Sequence, residues 1–370
     1  MKVVLVCSDP ADCLRSPLAA RPASLAGGLL AMLHAAGHQV ELLTLPPWGR
    51  RGPATVEDDR LMAATADVVH ALDVAAAPAA LRARRRTGVP TVVQAQVAGS
   101  EHIGRQDRAA WVACLRAADS VVVPTTHDAR AARRLGLDAR RVVTALLAAA
   151  GEVTGNLAFS ARSPLRLVSV LSGPHAWGGT LDVVAAVSRL PDVELVVAGR
   201  SAVPDAERRL TAVAQAYGAA DRVEITGWLD EQRAVELVDR SAVVVAPRRG
   251  LTSGAATLRA MARARPVVAV DSPIQAEIVV DGETGMLVPA GSRSRLAHAL
   301  ASLLGDPFQA EALGQAGQDR VVARFGPERT LAGLELAYRT AREQRTRVAF
   351  IPSARRAGGD DVRPTLPSPR

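Results

Sequence analysis

The sequence predicts an α/β protein built as two doubly wound units in succession, and three observations predict it. First, 48% of the 370 residues are hydrophobic but only 3% are aromatic. Ala, Val and Leu must therefore fill the cores, the composition of buried parallel strands covered by Ala-rich helices. Second, short β-branched runs alternate with helix-length stretches along the chain, which is the rhythm of strand–helix–strand crossovers. Third, the alternation lapses once near the middle and restarts, and the length suffices for two cores.

In the first half the expected strands are Val3–Cys7, Val40–Leu43, Val68–Ala71, Thr91–Gln94 and Ser120–Val123. Between the first two, Leu25 to Ala36 reads as a helix stopped by Gly37, a residue that adopts the left-handed conformation at helix ends without a Cβ penalty. After Arg141 the pattern lapses through VTALLAAAGEVTGNLAFSARSP, read as the interdomain linker. Strands are expected again at Leu165–Val170, Val193–Ala198, Val223–Thr226, Ala242–Ala246 and Pro266–Val270. The division is a first domain over 1–155, a second over 156–340, and a tail over 341–370 that is rich in Arg and Pro, lacks apolar periodicity and is expected to be disordered. Two units of this kind suggest Rossmann-like domains with parallel sheets facing a central cleft.

The net charge of +8 is spread unevenly. Residues 1–155 carry 18 basic and 14 acidic side chains, 156–340 carry 20 of each, and 341–370 carry 7 and 3. Half of the excess sits in the last thirty residues, and no basic patch is interleaved with aromatics, so no nucleic-acid partner is expected. The run Arg84, Arg85, Arg86 favours a solvated helix end over contact with an anionic lipid surface or a phosphate; weak peripheral contact with a membrane is the lesser reading. Cys7, Cys13 and Cys114 form no CxxC and no even framework, which argues against a disulfide scaffold or a zinc site and fits a reducing cytoplasm. The opening MKVVLVCSDP reads as a strand rather than a signal sequence, and no apolar run approaches the roughly 18 residues needed to span a bilayer. Lys2 is the single lysine, so any side-chain clamp on a phosphate in the second half must be arginine.

Eight stretches carry a resemblance. LAGGLLAMLHAAGHQVELLTL, DVVHALD, RRTGVPTVVQAQ and LRAADSVVVPTTHDARAARRLGL occur in the first half. RLVSVLSGPHAWGGTLDVVAAVSRLPDVELVVAGR, DRVEITGWLDEQRAVELVDRSAVVVAP, ARPVVAVDSPIQAEIVVDGETGMLVPAG and RFGPERTLAGLELAYR follow in the second. In that order they resemble the GT-B glycosyltransferases of family 4, over roughly residues 1–340. The resemblance implies an acceptor-binding first domain, a nucleotide-sugar-binding second domain, metal-independent transfer to a hydroxyl acceptor, and retention of anomeric configuration.

The residues themselves point the same way. Ala246 is expected to end a strand, and 247–253 leads through Gly254 into a helix over Ala255–Arg263. The amides near Thr252, Ser253 and Gly254 would then face a negative group with the helix dipole behind them, and the two hydroxyls could donate to phosphate oxygens. A plain N-cap with a glycine turn is the alternative. Arg248 and Arg249 stand just before this turn and could supply cations; Arg200 is a weaker candidate. The resemblance adds Ser172 and Gly173 in the loop after the first strand of the second domain, and Gly227 at the base pocket. It also adds Glu277, for which ligand contact and helix capping both stay open.

Several positions depart from the family pattern. The two donor-site glutamates are Leu251 and Arg259, the clamp lysine is Trp177, and the clamp arginine is Ser172 or Pro174. The first-domain histidine is Gln96, while His70 is present. Arg259 cannot accept the hydrogen bonds of a ribose diol, but it could pair with a diphosphate or a carboxylate. Two functions follow: transfer of a sugar from a nucleoside-diphosphate donor to a hydroxyl, or a catalytically weakened scaffold that binds a partner. A nicotinamide-dependent oxidoreductase is disfavoured, because no GxGxxG follows the first strand of either half.

Overall fold

The computed structural model describes residues 1–7, 25–44, 60–61, 65–97, 105–145, 166–170, 179–199, 205–227, 229, 231–247 and 254–349. Among them stand two six-stranded sheets, every strand pair parallel. The first has the order β2-β1-β3-β4-β5-β6, from β1 (Lys2–Cys7), β2 (Gln39–Thr44), β3 (Val68–Ala71), β4 (Thr91–Gln94), β5 (Ser120–Val123) and β6 (Val142–Thr144). The second has the order β12-β11-β10-β7-β8-β9, from β7 (Arg166–Val170), β8 (Glu194–Ala198), β9 (Val223–Gly227), β10 (Val243–Ala246), β11 (Val267–Val270) and β12 (Met286–Val288).

Burial on both faces explains the Val-rich strands. Helices α1 (Leu25–Ala35), α2 (Ala77–Thr87), α3 (Arg105–Ala117) and α4 (Thr126–Arg134) cover the first sheet. One face packs Ala80, Leu115 and Ala132 on Val69, Val93 and Val121; the other packs Leu29 and Leu33 on Val3, Leu5 and Val68. The second sheet is covered by α5 (Thr180–Val187), α6 (Ala206–Ala216), α7 (Glu231–Asp239), α8 (Ala255–Ala262), α9 (Pro273–Ile278), α10 (Arg293–Gly305) and α11 (Pro307–Phe325). Ile274 and Ile278 of α9 share one of its cores with Leu258 and Met261 of α8.

The final helix, α12 (Pro327–Ala349), leaves the second domain and lies on the first sheet. Leu334, Ala337, Tyr338 and Ala341, an apolar stripe at helical spacing, are fully buried there. Two expectations are corrected by this. Residues 341–349, assigned to the tail, are helical because Ala341 completes that stripe, and α12 from Leu334 to Ala341 packs on the first domain rather than the second. The linker also begins later than expected, since Val142–Thr144 pairs with β5. His70 lies on β3 with its ring fully buried, Nδ1 3.1 Å from the Tyr338 hydroxyl. Desolvation lowers its pKa to about 3, so the imidazole is neutral and structural.

Candidate functional site

In the second sheet the strand order reverses between β7 and β10. At such a switch point adjacent loops leave the sheet toward opposite faces and open a crevice beyond the carboxyl ends of the strands. Ser172 and Gly173 follow β7 in the sequence, and Arg248, Arg249, Thr252 and Ser253 follow β10; all six lie outside the described residues. Their anchors are described. Gly179 caps α5 at φ 98°, and a Cβ on it would stand 1.9 Å from the Pro247 carbonyl oxygen. The end of the loop after β7 therefore lies directly against the start of the loop after β10.

Gly254 closes that second loop. It caps α8 at φ 69°, a left-handed conformation that a Cβ would strain, and the Cβ would meet Ile278 Cδ1 at 2.3 Å. The turn is thus seated on α9. A second tie joins the same elements, because Thr257 Oγ1 of α8 donates to Gln275 Oε1 of α9 at 2.9 Å, both residues being buried. Gly254→Ala is expected to cost about 2 kcal/mol from backbone strain and crowding of Ile278, measured by urea unfolding.

Arg259 lies five residues past the turn, 5% exposed, on a helix whose residues from Thr257 to Ala262 are all buried. Gly227 ends β9 at φ 66°, and its carbonyl accepts from the Gly199 amide at 2.8 Å. It is separated from β7 by β8, and nothing stands within 4 Å of where its Cβ would be. Glu277, near the end of α9, faces the first domain. Its Oε1 accepts from Thr126 Oγ1 at 2.7 Å and from the His127 amide at 3.2 Å, so its carboxylate caps α4 across the domain boundary.

That boundary involves residues the sequence reading did not single out. Thr125 caps α4, accepting from the Asp128 amide at 2.9 Å, and Asp128 Oδ1 accepts from the Val97 amide at 2.6 Å. A buried carboxylate thereby ties the residues after β4, where Gln96 stands, to the start of α4. The signal was present as Thr125-x-x-Asp128, the spacing of a capping box. Of the basic run, Arg84 makes a two-pronged ion pair with buried Asp119, at 2.7 and 2.8 Å, while Arg85 and Arg86 are exposed. No helix among the described residues is long and apolar enough to cross a membrane.

Comparison with known proteins agrees with this architecture. The family described as "Glycosyl transferases group 1" matches residues 174–306, and "Glycosyl transferase 4-like domain" matches 59–146. The chain is 32% identical over 169 residues to the lipopolysaccharide core biosynthesis mannosyltransferase LpcC of Rhizobium leguminosarum bv. viciae, covering 44% of this chain and 47% of that protein. It is 36% identical over 157 residues to α-maltose-1-phosphate synthase of Mycolicibacterium smegmatis, covering 40% and 41%. The match spans less than half the length of these curated relatives. Among solved structures, HepE of Anabaena in complex with UDP and glucose superposes with a TM-score of 0.74 at 17% identity, covering 90% of this chain and 98% of that one. Sucrose-phosphate synthase of Thermosynechococcus elongatus gives 0.71 at 20% identity, covering 94% and 100%. With a sheet in each half and a helix returning to the first, the chain has the GT-B fold, and its two halves carry, in order, the glycosyl transferase 4-like and glycosyl transferases group 1 matches.

Proposed function

We propose that the protein transfers a sugar from a nucleoside-diphosphate donor to a hydroxyl acceptor. The observation that carries this reading is the left-handed Gly254 turn, held against α9 at the topological switch point of the second sheet. The donor's diphosphate would lie at the α8 N-terminus, where the helix dipole favours negative charge. Arg248 and Arg249, with Thr252 and Ser253, would meet it from the same loop, and Ser172 and Gly173 from the loop across the switch point. Such transfer needs mainly alignment of the donor with a hydroxyl and stabilisation of the departing diphosphate. Arginines and backbone dipoles can supply both without a resident metal. Gly227, at the edge of the same sheet, would line the base, and the acceptor would bind at the first domain.

A second reading is a weakened scaffold that binds a nucleotide or a partner without transfer. It is favoured by Leu251 and by Arg259, a buried guanidinium where a ribose-binding carboxylate is expected. Thermal shift with UDP, GDP and their sugars tests nucleotide binding, and Arg248→Gln with Arg249→Gln tests the anion site. The transferase reading expects stabilisation by at least one nucleotide and a Kd raised about tenfold in the double variant. An unchanged Kd in that variant counts against the arginine clamp, and no shift with any nucleotide counts against both readings of the site as a nucleotide pocket.

A further inference from the structure

We propose that Glu277 is a positioning residue that couples the nucleotide turn to the spacing of the two domains. The inference rests on the reading of the Gly254 turn as a nucleotide site. Its geometry begins with α9, a six-residue helix that touches three structures at once. Its apolar edge carries the turn: Ile278 Cδ1 would be 2.3 Å and Ile274 Cδ1 3.6 Å from a Cβ on Gly254. Its carboxyl end is held by Arg320 of α11, whose Nε donates to the Ile278 carbonyl at 2.7 Å and whose Nη2 donates to the Glu277 carbonyl at 2.9 Å. Its polar edge presents the Glu277 carboxylate to Thr126 and His127, the first two residues of α4. Rotation or translation of α9 therefore cannot occur without moving both the Gly254 turn and the contact with the first domain.

The contact is placed to matter. α4 starts just beyond the carboxyl end of β5, and α9 just beyond the carboxyl end of β11, so the hydrogen bonds join the ligand-facing edges of the two sheets. Among the described residues α12 also ties to the first domain: Arg345 Nε donates to the Gly88 carbonyl at 2.8 Å and Gly333 abuts Ala145. With α12 as a fixed pivot, a charge-assisted contact at the carboxyl-end edges sets how far they stand apart. A nucleotide that orders the Gly254 turn would fix α9 and strengthen the contact; loss of the contact would weaken nucleotide binding by the same factor, since coupling is reciprocal.

The test uses the full chain as wild type, Glu277→Gln, Glu277→Ala, Thr126→Val and the Glu277→Ala/Thr126→Val pair. Hydrogen exchange of the amides at 126–129 is followed with and without saturating UDP or GDP, together with the radius of gyration by small-angle scattering and the nucleotide Kd. Expected are exchange about tenfold faster in Glu277→Ala, a smaller rise in Glu277→Gln, a larger radius of gyration, and a Kd raised several-fold. The double variant should behave like Glu277→Ala, because Glu277→Ala already removes both hydrogen bonds, including the one from Thr126. Unchanged exchange at 126–129 in Glu277→Ala, or fully additive effects in the pair, would overturn the contact as a determinant of domain spacing. If exchange rises as expected but nucleotide binds without slowing it in wild type, the coupling is overturned while the nucleotide reading stands. If no nucleotide binds wild type at all, the nucleotide reading and the coupling fail together, whereas the spacing role still stands or falls on exchange and scattering.

Discussion

Replacing Gly179 with alanine is expected to cost about 4 kcal/mol or more of folding stability and to remove nucleotide binding. Two penalties combine. At φ 98° an L-residue is strained by one to a few kcal/mol. The added Cβ would also lie 1.9 Å from the Pro247 carbonyl oxygen, a backbone atom at the end of a buried strand that no rotamer change can move, so the chain itself must shift. Gly227→Ala is the matched control, since it shares the positive φ but would meet nothing within 4 Å; it should cost about 1 kcal/mol. Urea unfolding of both variants measures the difference. Equal costs would mean that the loops after β7 and β10 do not meet at Gly179.

A second large effect is expected from acid. The unfolded chain binds a proton at His70 with an ordinary pKa of about 6.5, whereas burial lowers it to about 3 in the fold. Between those values the unfolded state binds more protons. Stability is therefore complete above about pH 6.5 and is lost as pH falls toward about 3, by roughly 3 kcal/mol between about pH 7 and pH 4 from this group alone. The His70→Leu/Tyr338→Phe pair removes the titrating ring without leaving the Tyr338 hydroxyl of α12 stranded in the core. Its stability relative to wild type should rise by that amount over the same interval in urea titrations, other carboxylates cancelling in the difference. A pH-independent difference would show that His70 has the same pKa in the fold as in the unfolded chain.

The parts of this architecture that were legible in the sequence are those governed by local burial. Val68–Ala71, Thr91–Gln94 and Ser120–Val123 are strands over the expected residues, because strands buried on both faces demand uninterrupted β-branched and small apolar runs. β6 and β12 escaped notice because three-residue edge strands with a single buried side chain each carry no such run. In α12 the stripe from Leu334 to Ala341 declares a helix, but periodicity cannot say which sheet it covers. The site divides in the same way. A strand leading into Gly254 and a helix is a local pattern, and the turn is where that pattern places it. The contact between Glu277 and Thr126 joins residues 151 apart on two separate domains, so no window of sequence contains it. Arg84 shows the converse, a member of an apparently solvent-directed run that is committed to Asp119, a buried partner just before β5.

The central claim is that the second domain holds a nucleotide-sugar with its diphosphate at the Gly254 turn and releases the diphosphate on transfer. The measurement that tests it most directly is the release of UDP or GDP from a panel of UDP- and GDP-sugars by the full chain, with water or an added hydroxyl compound as acceptor. Wild type should release nucleoside diphosphate from at least one donor, and Gly254→Trp, which fills the turn, should not. Absence of release from every donor, or equal release by the Gly254→Trp variant, would contradict the claim.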